Sequence, residues 1–258
     1  MHLAQYFAVA VDAYAIMSNH FHVVVYYDPR ESHRWSNEEV AARWVAAFPP
    51  RIGDHSAVNK QAVIELHKRI LIEDSQRLRH ARETLGSLSM FMKYLKQPIA
   101  YRANKEDKCS GHFFEGRFYS GALLDEDAVI AAMAYVDLNP VRARIVSDIK
   151  EYKAASGYQR ASVARNSAER LDEAIEPVVS GLTIARPALA TTLGAYLGIV
   201  ESCQIDYEAH DRNNRTCRWF NRIASLQKRQ RAFGSMKKLS EWKVQRGWRL
   251  CDTPLPIA

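Results

Sequence analysis

An α+β domain is the fold class that the order of hydrophobic patterns in this 258-residue chain predicts. Three observations carry it. Two runs rich in β-branched and aromatic residues between Ala8 and Tyr27 meet at Ser18 and Asn19, a turn-prone pair, and read as a β-hairpin. A block of helical periodicity follows, and the alternating run EGRFYSGALL then precedes a helical stretch beginning near Asp125. The order strand, strand, helices, strand, helix suits a mainly antiparallel sheet with helices on one face.

The individual elements have their own signals. WSNEEVAARWVAAF offers Ser36 as an N-cap with Glu39 three residues on, a capping box, and keeps helical spacing until Pro49. The long region from NKQAVIEL to ANKEDK reads as two or three helices, interrupted near Gly86 and Pro98. DEDAVIAAMAYVDLNP reads as a helix with Asp125 at its N-cap, and Pro140 ends it because the residue before a proline disfavours the α region. After Tyr158 the sequence turns polar (QRASVARNSAER) and then helical and basic, so residues 1–160 are expected to form one domain and residues 161–258 a linker and basic helical C-terminal extension.

Composition narrows the function classes. Hydrophobic residues make up 47% and charged residues 25% of the chain, enough for a sizeable core and unlike a disordered polymer. The stretch LTIARPALATTLGAYLGIV contains Arg186 and Pro187, so no membrane span is expected. The N-terminus lacks a basic leader and a small-residue cleavage signature, and a cytoplasmic protein is the expectation. Cys109, Cys203, Cys217 and Cys251 are scattered, which points to neither a zinc site nor a disulfide framework and fits a reducing compartment. The net charge of +7 is concentrated: between Asp211 and Leu250 twelve Lys and Arg face two acids. Trp219, Phe220, Phe233, Trp242 and Trp248 interleave with these cations. That mixture suits phosphate contacts with base stacking, and equally a helix with a solvated basic face and buried aromatics.

Two short patterns carry chemistry. In MSNHFHVVVYY, a strand's period of two puts His20 and His22 on one face, where they form half of a divalent-metal shell or stand as ordinary polar residues on a solvated sheet. On the helix after Asp125, Tyr135 and Asn139 are four apart and share a face, with Tyr135 next to a stripe of alanines that a large ligand can approach. The plainer alternative is a tyrosine packed at the helix edge and an asparagine capping the helix ahead of Pro140. Arg117, Arg142 and Arg144 are candidates for phosphate contacts or for surface salt bridges.

The segments AYAIMSNHFHVVV and LKQPIAYRANKEDKCSGHFFEGRFYSGALLDEDAVIAAMAYVDLNPVRARIV, with the spacing between them, resemble the single-tyrosine HUH transposases, in particular the group related to REP-associated tyrosine transposases. The resemblance spans Ala8 to Gln159. Its most specific parts are the His-hydrophobic-His strand and YVDLNPVRA.

The resemblance implies an RRM-like (ferredoxin-like) antiparallel sheet and a catalytic domain over residues 1–160. It assigns His20, His22 and Asn139 as ligands of Mg²⁺ or Mn²⁺ and Tyr135 as the nucleophile. It implies nicking and joining of single-stranded DNA, hairpin-forming repeats included, through a 5′-phosphotyrosine, which requires no nucleotide cofactor. A homodimer is compatible with it, and the alternative function is a catalytically impaired protein that binds repeat hairpins. Relatives usually carry a further strand before the hairpin, so this chain is expected to expose a sheet edge beside the histidines. Where relatives have a DWTGR-like element, this chain reads SCQIDYEAHDRNNR.

Overall fold

The computed structural model describes residues 2–50, 60–180, 186–208, 219–227 and 230–246, and it is mixed α+β. The basic stretch beginning at Asp211 is therefore described only in part, and Cys217, Trp248 and Cys251 lie outside the described residues. The chain divides into two compact units, one of Met1–Ala10, Tyr26–Phe118 and Val179–Arg186, the other of Val11–Val25, Tyr119–Val178 and Pro187–Ala258.

The elements begin with strands β1 (Val9–Ile16) and β2 (Phe21–Tyr27) and helices α1 (Glu31–Arg34) and α2 (Asn37–Ala47). Helices α3 (Lys60–Glu73), α4 (Ser75–Leu85) and α5 (Leu88–Glu106) follow, then strand β3 (Ala122–Leu123). Next come α6 (Glu126–Asp137), α7 (Asn139–Arg142), α8 (Ser156–Asn166) and strand β4 (Val179–Ser180). The chain continues through α9 (Leu193–Glu208), α10 (Phe220–Ser225), strand β5 (Ala232–Phe233) and α11 (Met236–Gln245). One sheet has the order β2-β1-β4, with β2 outermost, and a second pairs β3 with β5.

In the first unit α2, α4 and α5 start where a side chain satisfies a free N–H group. Ser36 accepts from the Glu39 N–H at 3.1 Å, as its sequence position predicts, while the Glu39 carboxylate holds Arg43 at 2.8 Å. Asp74 caps α4 through the N–H groups of Gln76 and Arg77, and Ser87 caps α5 through Met90. The breaks therefore fall at Asp74 and Gly86–Ser87, and α5 runs straight through Pro98. The proline leaves one carbonyl without its helical partner, but tertiary bonds hold the helix: Lys96 donates to the Gly116 carbonyl and Asn104 to the Gly111 carbonyl, each at 3.0 Å. Phe7, Phe48, Phe91 and Tyr94 form the aromatic centre of this unit, with ring centroids 4.6–6.4 Å apart.

In the second unit the core gathers around α6, where Ile130, Met133, Val136 and Leu138 are buried against Tyr196, Val200 and Ile223. Burial of such side chains contributes about 1.5–3 kcal/mol each. Asp125 caps α6, accepting from Ala128 at 3.0 Å, and its other oxygen accepts from the Ser235 N–H at 2.6 Å. Pro140 does not end the helical path: α6 closes at Leu138 in the α region, and Pro140 sits in the first turn of α7, where its missing N–H costs nothing.

The alternation of EGRFYSGALL predicts a longer strand than the chain forms. Only Ala122–Leu123 is extended, and it pairs in parallel with Ala232–Phe233, more than a hundred residues away, in a sheet separate from the hairpin. Gly121 permits this pairing, because a Cβ there would lie 2.7 Å from the Phe233 ring. Alternation reports a face, and it cannot name a partner that distant in sequence. The cysteine expectation is likewise corrected at Cys203, which is buried in α9 and disulfide-bonded, while Cys109 is free and exposed. Pairing depends on proximity in space, which spacing along the chain does not encode. Among the described residues, no helix is long and apolar enough to cross a membrane.

Candidate active site

The turn between β1 and β2 is closed by the Met17 N–H donating to the His20 carbonyl at 2.8 Å. His20 stands exposed just before β2 begins, and His22 is half-buried inside it. Two residues of extended chain bring their rings to a centroid separation of 4.9 Å, nearly perpendicular. His20 Nδ1 is 2.6 Å from the Asn19 amide oxygen.

Burial lowers the His22 imidazole from its ordinary 6.5 to about 4, and the nearby charges of His20 and Arg142 push in the same direction. His22 is therefore neutral at neutral pH, the form that ligates a cation. Its ring meets the Tyr135 ring edge-on, with centroids 5.5 Å apart. On the other side the Arg142 guanidinium stands 4.8 Å from the centre of the Tyr135 ring. His20, His22, Tyr135 and Arg142 thus form one cluster, and all four belong to the second unit.

Helix α6 explains why Tyr135 is available. From Ile130 to Leu138 every residue is buried except Tyr135, which is half-buried. The alanine stripe proposed from the sequence as an approach surface is closed: Ala128, Ala131 and Ala132 are buried in the core. The small side chains bring neighbouring elements close to the helix, and the phenol is left at its margin.

Asn139 does not cap α6, a position occupied by Leu138; it is the first residue of α7 and is half-buried. The Leu138 N–H bonds to the Ala134 carbonyl and the Arg142 N–H to the Leu138 carbonyl, each at 2.9 Å, on either side of the turn at Leu138 that separates α6 from α7. Tyr135 and Asn139 therefore belong to two successive helices and not to one.

The remaining arginines are placed differently. Arg144 is exposed in left-handed backbone, φ 56°, just beyond α7. Arg117 belongs to the first unit and is exposed on the segment after α5. Of the aromatics in the basic stretch, Trp219, Phe220 and Phe233 are buried, which removes them as platforms for base stacking; Trp242 is half-buried with Arg246 4.9 Å from its ring centre.

Two features lay beyond sequence reasoning. One is Arg142, chosen as a phosphate contact and found against the Tyr135 ring. The other is a buried polar cluster on the far side of α6. There the Asp137 carboxylate accepts from Ser156, from Arg160 at 3.1 Å and from the Tyr196 hydroxyl at 2.6 Å. Burial and the Asp137 charge raise the Tyr196 phenol well above its ordinary range, so it is a neutral hydrogen-bond donor. Asp137, a charge that follows the largely apolar run from Ala128 to Val136, was the available signal.

Two adjacent imidazoles can serve as metal ligands but do not by themselves name the ion. Among the described residues no group of three or more His, Cys, Asp or Glu that could hold a metal ion is present, and Asn139 as a third ligand is what the resemblance implies. No protein-family model, no curated protein and no solved structure matches the chain.

Proposed function

We propose that the chain is a metal-dependent enzyme that nicks and joins single-stranded DNA, with Tyr135 as nucleophile and His20, His22 and Asn139 as ligands of Mg²⁺ or Mn²⁺. The observation that carries this reading is the edge-on contact of Tyr135 with His22, 5.5 Å between centroids, in a cluster whose histidines sit one residue apart. A phenol held against an imidazole pair, with a guanidinium at 4.8 Å, has the parts that phosphodiester cleavage by a tyrosine needs.

A bound divalent ion would polarise the scissile phosphate and neutralise its developing charge. The contact of Asn19 with Nδ1 orients the His20 ring, and burial keeps His22 unprotonated. In the reaction the Tyr135 oxygen forms a bond to phosphorus while the bond from phosphorus to the 3′ oxygen breaks. The phenol gives up its proton and the 3′ oxygen gains one, leaving a 5′-phosphotyrosine and a free 3′-OH. Arg142, whose guanidinium stands over the Tyr135 ring, supplies a fixed positive charge near the phenol as negative charge moves through its oxygen. The ester is retained, so a second 3′-OH can displace the tyrosine and join strands without ATP.

The reading extends to a catalytic domain over residues 1–160 with an RRM-like sheet, acting on hairpin-forming repeats. Arg117 and Arg144, both exposed, are assigned to backbone phosphates. The test is to incubate the protein with end-labelled single-stranded DNA and Mg²⁺ or Mn²⁺ and look for a denaturation-resistant adduct. Adduct that disappears with a chelator supports the reading. Binding without cleavage favours a repeat-binding protein, and cleavage without adduct favours a nuclease that activates water; either result rejects it.

A further inference from the structure

The buried cluster behind α6 has no place in the chemistry described so far, yet it is built into the same turn of helix. Tyr135 and Asp137 are two residues apart, a rotation of about 200° on a helix. Asp137 therefore faces away from Tyr135. Its carboxylate is fully buried and Arg160 is 4% exposed.

Three donors from two other helices converge on that carboxylate. Ser156 and Arg160 belong to α8 and Tyr196 to α9. The same groups then reach β1, the strand that leads into the His20 turn. The Ser156 hydroxyl accepts from the Tyr14 N–H at 2.9 Å, and Arg160 donates to the Asp12 carbonyl. Gly157 adds closeness: a Cβ at that position would stand 3.2 Å from Asp137 Cβ and 3.3 Å from its Cγ.

An ion pair in this position is a weak source of stability. Removing both charges from water offsets most of their attraction, and apolar side chains of similar size stabilise a core at least as well. What apolar packing cannot do is fix a direction. Two oxygens with three donors from two helices set the rotation and height of α6 to within hydrogen-bond tolerance. We propose that Asp137, Ser156, Arg160 and Tyr196 are positioning residues: they lock the end of α6 against β1, α8 and α9, and so set where Tyr135 stands relative to His22 and where Asn139 enters the site. The C-terminal half of the chain is then part of the catalytic apparatus through α8 and α9. This inference rests on the reading of Tyr135 as nucleophile, but its geometric half is measurable without catalysis.

The experiment uses the full chain with Tyr196→Phe, which removes one hydroxyl and keeps the buried ring, and Ser156→Ala as a second mild variant. Adduct formation is followed in single turnover at saturating single-stranded DNA and Mn²⁺, DNA affinity and melting temperature are measured alongside, and the His22 ring signals are recorded by NMR without metal. Tyr135 packs edge-on against His22, so a shift of α6 moves those signals through the tyrosine ring current. His67 and His80, in the first unit, are the controls.

The expected result is an adduct rate lowered about tenfold or more with DNA affinity within about twofold, and displaced His22 signals with His67 and His80 unmoved. A lowered melting temperature with unchanged adduct rate and unchanged His22 signals overturns the inference, because the cluster is then structural only. If the unaltered protein forms no adduct, the functional reading fails by itself. The His22 signals then decide the positioning claim alone, displaced supporting it and unmoved overturning it.

Discussion

The two faces of α6 present the same residue types under opposite conditions. On one face Tyr135 is half-buried, beside neutral His22 and under the Arg142 guanidinium. On the other, Tyr196 is fully buried, its hydroxyl held by Asp137, with Arg160 5.3 Å from its ring centre. Each face pairs a tyrosine with an arginine, but only in the second does a carboxylate tie the two together in a buried network. The comparison separates two uses of polar chemistry: groups bonded to one another specify geometry, and groups held close with room beside them remain able to react.

The comparison breaks most visibly if the buried face is cut. Asp137→Ala leaves Arg160 buried without its counter-charge and is expected to cost about 3–5 kcal/mol of folding stability, read from urea denaturation. Tyr135→Phe, on the open face, should leave the urea midpoint almost unchanged. Equal losses in the two variants would erase the distinction between the faces. Next in size is Arg142→Gln, which removes the cation against the Tyr135 ring. The expected loss in adduct formation is about a hundredfold, the scale for deleting one group that stabilises developing charge. An Arg142→Gln enzyme that reacts at the normal rate would return this residue to the role of a phosphate contact.

Some of this was legible in the sequence. Ser36 and Asp125 mark helix starts because capping is local, and the convergence of His20 and His22 follows from the strand period. The rest depends on partners far along the chain. β3 exists only because Ala232–Phe233 lies beside it, α5 passes Pro98 because Lys96 and Asn104 anchor the following segment, and Asp137 meets Tyr196 across 59 residues. Periodicity assigns a residue to a face, whereas these features require knowing what packs on that face.

A smaller effect sharpens the account of His22. Its folded pKa of about 4 lies below the ordinary 6.5. Above pH 6.5 both folded and unfolded forms are neutral and the full stability is present. As pH falls from 6.5 toward 4 the unfolded chain takes up a proton that the folded site refuses, and stability is lost across that window. His22→Gln removes the titration, so its urea midpoint should decline less between pH 7 and pH 4.5 than that of the unaltered protein. Parallel declines would mean that His22 protonates freely in the fold.

The smallest effect belongs to Arg144, exposed beyond α7. Arg144→Gln should lower the slope of log affinity for single-stranded DNA against log salt by about 0.7, one phosphate contact, with no change in adduct chemistry once DNA is saturating. An unchanged slope would place Arg144 away from the nucleic acid.

The central claim is that the Tyr135 oxygen becomes covalently joined to DNA. The most direct measurement is mass-spectrometric mapping of the nucleotide-bearing peptide after reaction with single-stranded DNA and Mn²⁺, digestion of the protein and trimming of the DNA. The account predicts a single modified peptide with the phosphate on Tyr135 and none from Tyr135→Phe. A phosphate on another tyrosine, or an adduct that persists in Tyr135→Phe, would contradict it.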